Sequence, residues 1–296
     1  MFDALGVFLP DAQAPGDRLA ELRPLRNDEG FRGLLGNLRV VQGRAGVYIL
    51  GSLPVYLNGE NALTLTRQGL RTALGKLEDE SGLDLHAGRV CQLETAATLP
   101  VREAPRRYLE SWGPLPRFRK DTYGGGETVL YRTGGRSFTG YDKGAELDPE
   151  PLPCPLEGRY ALRLELRYKR GLARILGRPM NPWELAEPEP YRAAVERWKR
   201  LYFAIPKRRE VCLVMDGLTT KRLERSLAAL GLQTLGLDRL AAIIRDGQAS
   251  GALDRTTATR MRQLARELGQ DGKLTDTEPL TQEIDEKVRA VARFAR

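Results

Sequence analysis

The stretch Arg136-Ser137-Phe138-Thr139-Gly140-Tyr141-Asp142-Lys143, which follows the turn Thr133-Gly134-Gly135, decides how the chain is read. It alternates with period two, as a strand does, and the glycine pair before it joins it to Val129-Leu130-Tyr131-Arg132 as a hairpin. Carried through to Lys143, the alternation places Tyr141 and Lys143 on one face and Asp142 on the other. A phenol oxygen can attack phosphorus, and a nearby ammonium favours the phenolate and offsets transition-state charge. The plain alternative is a half-buried strand aromatic beside a solvated edge charge.

Two further strands carry carboxylates in the same manner. In Arg89-Val90-Cys91-Gln92-Leu93-Glu94-Thr95-Ala96, alternation sets Gln92 and Glu94 opposite Cys91, Leu93 and Thr95. A strand carboxylate among apolar neighbours needs a partner, either a metal or an arginine. In Arg159 to Lys169, residues Arg163, Glu165 and Arg167 share one face, while Leu162, Leu164, Leu166 and Tyr168 share the other. Such a set is either a surface ion-pair ladder or, if the face lines a site, a source of a second carboxylate for a divalent cation. Carboxylate oxygens suit magnesium or manganese.

Around these strands the pattern is mixed. Met1 to Leu9 reads as a strand without a basic leader, and Leu38–Val41 with Gly46–Leu50 reads as a hairpin. Gly51 to Asn61 reads as an extended run, because its proline and glycines oppose a helix. Thr66 to Glu80 has Leu70, Leu74 and Leu77 at helical spacing, with Gly82 as a stop. Ala104 to Trp112, Arg170 to Gly177 and Tyr191 to Phe203 are read as helices, and Asp148 to Pro155 as a proline-rich linker. Beyond Glu210, helical segments replace strands: Thr220–Leu230, Asp238–Arg245, Thr257–Leu268 and Thr281–Arg293. Leu223, Leu227 and Leu230 form the apolar stripe of the first, with Thr220 as cap and Gly231 as stop. The fold class expected is therefore α+β, a mainly antiparallel central sheet with packed helices over residues 1–209, followed by a small helical C-terminal domain over 210–296.

Composition narrows the chemistry. The chain has 296 residues, 41% hydrophobic and 29% charged, with a formal net charge of +8. That excess favours nucleic acid or another polyanion. Arg117, Arg119 and Lys120, interleaved with Phe118, are candidate DNA contacts, together with Arg136, Arg163 and Arg167 on the strands. A single histidine, His86, rules out a histidine-pair metal site within one chain. Three scattered cysteines, Cys91, Cys154 and Cys212, form no zinc or disulfide pattern and fit a reducing cytoplasm. No apolar run is long enough to span a bilayer, and the Gly124–Gly126 triplet lacks the lysine of a phosphate-binding loop.

Taken in order, Gly51-Ser52-Leu53-Pro54, Gly59-Glu60-Asn61, Gln92-Leu93-Glu94, Tyr141-Asp142-Lys143 and Leu162-Arg163-Leu164-Glu165-Leu166-Arg167 resemble the phage and plasmid replication proteins typified by the gene II protein of filamentous phages. The resemblance spans roughly residues 45 to 205. It implies a diverged rolling-circle endonuclease fold and nicking of one origin strand through a 5′-phosphotyrosyl intermediate. The displaced strand is then cut and rejoined, with a host polymerase and helicase as partners. It implies Tyr141 as nucleophile and Lys143 as the lysine two residues beyond. It also implies Glu94, Glu165 and, less directly, Glu60 as ligands of Mg2+ or Mn2+. Glu60 departs from the histidine or asparagine of the relatives, and Leu164 from their aromatic residue. Tyr168 and Tyr202 are the alternative nucleophiles. A non-catalytic replication or copy-control regulator, or a structural protein with solvated strand faces, are the competing classes.

Overall fold

A computed structural model describes residues 1–25, 30–147, 160–207, 209–211, 219–270, 275–277 and 279–294. The linker read at 148–155, and with it Cys154, Cys212 and Arg208, lie outside the described residues. In chain order the elements are β1 (Phe2–Pro10), β2 (Ala20–Pro24), β3 (Phe31–Leu35), β4 (Leu38–Gly43), β5 (Gly46–Ser52), α1 (Leu53–Asn58), α2 (Arg67–Ser81), β6 (Arg89–Val101), α3 (Pro105–Leu109), β7 (Arg119–Tyr123), β8 (Thr128–Arg132), β9 (Arg136–Asp142), α4 (Lys143–Leu147), β10 (Tyr160–Tyr168), α5 (Leu172–Leu176), α6 (Pro182–Leu185) and α7 (Pro188–Ala204). There follow β11 (Arg209–Val211), α8 (Thr220–Leu235), α9 (Leu237–Ala249), α10 (Arg255–Gln270), β12 (Thr275–Thr277) and α11 (Pro279–Phe294).

The first ten strands form one antiparallel sheet in the order β2-β3-β4-β5-β1-β6-β10-β9-β8-β7. The protein is thus α+β, built on a large antiparallel sheet. Strand β10 sits between β6 and β9, so it joins segments far apart in sequence. One face of the central strands is apolar: Phe138, Leu162, Leu164, Leu166 and Tyr168 are buried there, as alternation requires. Trp198 of α7 lies on this side and donates its Nε1–H to the Leu164 carbonyl at 3.1 Å. Trp112, just beyond α3, packs with Tyr131, Phe138 and Tyr202 at ring centroid distances of 6.1–6.2 Å. Gly140 makes room for it, since a Cβ there would stand 2.7 Å from both Trp112 and Leu109.

The chain divides into two compact units, Met1–Pro206 with Glu283–Arg296, and Lys207–Gln282. Residues 283–294 group with the sheet-bearing unit. Two buried anchors explain this: Tyr108 Oη donates to Glu283 at 2.7 Å and Tyr202 Oη to Asp285 at 2.7 Å. The second unit contains α8, α9 and α10 and the short β11–β12 pair. Helix α8 runs through Gly231 to Leu235, and Thr219, not Thr220, caps it by accepting from Arg222 N–H. Its stripe is turned outward: Leu227 and Leu230 are exposed, while Ser226 and Ala229 are buried.

Other local expectations are revised as well. Leu53–Asn58 is helical, because Pro54 sits in the first turn, where its missing N–H costs nothing, and Ser52 caps the end. The polar segment Arg119–Tyr123 is an edge strand. Among the described residues no helix is long and apolar enough to cross a membrane. If the close approach at Gly140 sets the depth of β9, Gly140→Ala will lower the unfolding free energy by about 1–3 kcal/mol in urea titration through overpacking. An unchanged midpoint would show that Trp112 can move aside.

Candidate active site

Antiparallel register carries side chains of paired residues to the same face. Opposite the apolar side, three cross-strand rows follow from the pairing: Tyr123, Thr128, Tyr141, Arg163 and Thr98; Asp121, Leu130, Thr139, Glu165 and Ala96; Arg119, Arg132, Ser137, Arg167 and Glu94. The tyrosine, both glutamates and both arginines singled out above thus fall on one face of three adjacent strands. β1 adds a residue that the alternation conceals. Between the pairs Phe2↔Thr95 and Leu5↔Leu93, two residues, Asp3 and Ala4, stand where β6 has one, Glu94. This bulge turns the Asp3 carboxylate toward the glutamates, and ligand oxygens of Asp3, Glu94 and Glu165 lie within 4.8 Å of one another.

The hydrogen bonds tie the set together. Tyr141 Oη donates to Glu165 Oε1 at 2.8 Å, and Arg163 Nε donates to the same oxygen at 2.9 Å. Arg163 also donates to the Asn61 carbonyl at 2.7 Å, to Thr98 Oγ1 at 3.0 Å and to Asp3 Oδ2. Ser52 Oγ donates to the other Asp3 oxygen at 2.6 Å. Arg167 Nε donates to Glu94 Oε2, and its Nη2 lies 3.8 Å from Glu165 Oε2.

Three acids therefore meet two guanidiniums, leaving one negative charge uncompensated within the set. Burial, and then repulsion from Glu165, push the Glu94 carboxyl up from 4.5 to about 7, against the pull of Arg167. A proton thus shares the place that a cation would fill. Three hard oxygen donors converging with surplus negative charge fit Mg2+ or Mn2+ in chemistry.

Several expected roles change. Lys143 does not extend the strand. β9 ends at Asp142, whose Oδ1 accepts from Ala145 N–H and opens α4, so Lys143 is the first residue of that helix and is buried. Glu60 lies outside the cluster and folds back on its own loop, accepting from Ala62 N–H. Its neighbour Asn61 reaches the site instead, through its carbonyl. Arg163 cannot touch DNA: its side chain is 0% exposed. Lys120 is half-buried and donates to the Trp112 carbonyl, and burial lowers its pKa. Arg117 and Arg119 are exposed, the latter paired with Asp121 at 2.9 Å, and Arg136 lies over the Phe118 ring at 4.8 Å. Tyr168 is buried on the apolar face, and Tyr202 is held in the core by Asp285, so neither lies on the face that carries Tyr141.

Arg167 also borders two grooves. One, about 310 Å³, is lined by Tyr123, Thr128, Arg132, Ser137, Thr139 and Lys169 among others; the second, about 430 Å³, by Ala4, Ser52, Gln92, Glu94 and Lys169. Arg132, Lys169 and Tyr123 were not singled out in the sequence, although register with Tyr141 and Arg167 could have found the first and third.

A carboxyl raised on folding binds its proton more tightly in the native state. The stability it contributes is complete below the ordinary carboxylate value and is lost as pH rises through about 7. The thermal midpoint of the metal-free protein is therefore expected to fall between pH 5 and pH 8, and Glu94→Gln to flatten that slope. A slope that survives Glu94→Gln would assign it to another group. No protein-family model matches the chain, and no curated protein matches it either.

Proposed function

We propose that the protein is a rolling-circle replication initiator, a metal-dependent nicking and joining endonuclease that acts through a phosphotyrosyl intermediate on Tyr141. The observation that carries this reading is the hydrogen bond from Tyr141 Oη to Glu165 Oε1 at 2.8 Å, beside the carboxylates of Asp3 and Glu94. A nucleophile with an acceptor for its proton, next to an oxygen-donor set, is the arrangement that phosphoryl transfer to a phenol requires.

In this mechanism the Tyr141 oxygen attacks the scissile phosphorus in line and its proton passes to Glu165. The new O–P bond forms as the bond from phosphorus to the 3′ oxygen breaks, and that oxygen leaves as a hydroxyl after taking up a proton. Asp3, Glu94 and Glu165 would hold the cation. When bound, Mg2+ or Mn2+ supplies Lewis-acid polarisation of a phosphate oxygen. Arg163, locked between Asp3 and Glu165, fixes the acceptor oxygen on the phenol. The exposed cations Arg119, Arg132 and Lys169 track the backbone of the strand, with Tyr123 as a stacking surface. Joining runs the same steps in reverse. The substrates are a supercoiled phage or plasmid origin and the displaced single strand. The host supplies polymerase and helicase, in the bacterial cytoplasm. The diverged rolling-circle endonuclease fold belongs to the same proposal.

A second reading is favoured by one observation, the pairing of all three acids with Arg163 and Arg167. A network satisfied in that way can be purely structural, and the protein would then bind DNA without cutting it.

Incubation with supercoiled origin-bearing DNA and Mn2+, followed by protease digestion, is expected to yield a phosphotyrosyl peptide containing Tyr141. Tyr141→Phe should abolish the adduct with little change in DNA affinity. No adduct with any divalent cation favours the second reading, whereas an adduct on another tyrosine overturns Tyr141 as the nucleophile. Glu165→Gln keeps the shape but removes the proton acceptor, so nicking should slow by about 10²- to 10⁴-fold. Single-turnover rates measure this, and an unchanged rate would exclude Glu165 as the base.

A further inference from the structure

The two arginines that neutralise the acid cluster are held differently. Arg163 has no exposed side-chain surface and donates to Asp3, Glu165, Thr98 and the Asn61 carbonyl, on four separate segments. Arg167 is 44% exposed, donates to Glu94, approaches Glu165 at 3.8 Å, and faces both grooves together with Lys169. Arg163 cannot leave without stranding buried charge. Arg167 can turn to solvent, because its stem is long and its head is already at the rim.

We infer that Arg167 is an exchangeable counter-ion. Without a metal it spans Glu94 and Glu165; when a divalent cation binds there, the guanidinium is released into the groove, where it grips a phosphate of the bound strand. Like charges repel at this spacing, so cation and guanidinium compete for the same two carboxylates. A guanidinium suits both duties, since its planar fork matches carboxylate and phosphate alike. The site would then present its phosphate-binding cation only when its metal is in place. This rests on the cation proposed at Asp3, Glu94 and Glu165.

The test begins without DNA. Mn2+ binding by calorimetry and by electron paramagnetic resonance should tighten about tenfold in Arg167→Gln, because a competing charge has gone. Arg167→Lys, which keeps the charge but not the fork, should tighten it only a few-fold. Asp3→Asn should weaken it. Unchanged or weaker Mn2+ binding in a folded Arg167→Gln overturns the inference alone; if that variant does not fold, Arg167→Lys decides by the same criterion. Absence of saturable Mn2+ binding in the unaltered protein overturns the inference together with the proposed metal site. In a Tyr141→Phe background, which forms no adduct, the salt dependence of single-stranded oligonucleotide binding gives the second readout. Removing Arg167 should reduce the log–log slope by about 0.7 with Mn2+ present and leave it unchanged without metal. An equal reduction in both conditions would mean that Arg167 never leaves the phosphate, and would overturn the exchange.

Discussion

The guanidinium of Arg163 is shut off from water, and the architecture of the site follows from what that requires. A buried charge is tolerated only when paired and fully hydrogen-bonded. Arg163 meets the condition with acceptors from β1, β6, β10 and the loop after α1. The bulge that brings Asp3 round, the seat of the Asn61 loop and the orientation of Glu165 are thus parts of one solution. Removing the guanidinium would strand two acids, a loss on the order of 3–5 kcal/mol for a broken buried pair. Replacing the whole network by apolar residues could be neutral, so stability alone does not explain its presence.

Glu165 Oε1 accepts from Arg163 and from Tyr141 at once, so the fixed arginine holds the carboxylate in register with the phenol. Lys143, which the alternation set beside Tyr141, opens a helix instead. The hydroxyl of Tyr141 donates to Glu165 Oε1.

The strands bearing Glu94, Tyr141 and Glu165 were legible because each shows clean alternation with leucines or phenylalanine on the far side. What alternation cannot express is a change of phase or of depth. Asp3 shares odd positions with Leu5, Val7 and Leu9 and so reads as an apolar-face residue; only the bulge moves it. Arg163 and Arg167 read alike, yet one lies under the Asn61 loop and the other at the groove rim. Pro54 reads as a breaker although it starts a helix, and the polar run Arg119-Lys120-Asp121-Thr122 shows none of the apolar alternation that marks the inner strands because it is an edge strand. In α8 the leucine stripe was visible, but not that Ser226 and Ala229 would be the buried side. Nor does any local pattern tell Glu283 and Asp285 to seek Tyr108 and Tyr202.

The pattern Arg-x-Glu-x-Arg along β10 has a consequence that its composition does not suggest. Period two sets all three side chains on one face, roughly 7 Å apart between alternate residues, so each arginine reaches the central glutamate. Identical side chains then acquire opposite duties from position along the strand. At one end Arg163 meets four acceptors and becomes a fixed part of the scaffold. At the other end Arg167 adjoins open grooves and keeps a choice of partner. A lysine at the first place could not satisfy acceptors on so many segments, because it offers a single point charge and three donors. One strand therefore supplies both the rigid support for the acceptor carboxylate and the one guanidinium of this pair that is free to respond to a ligand.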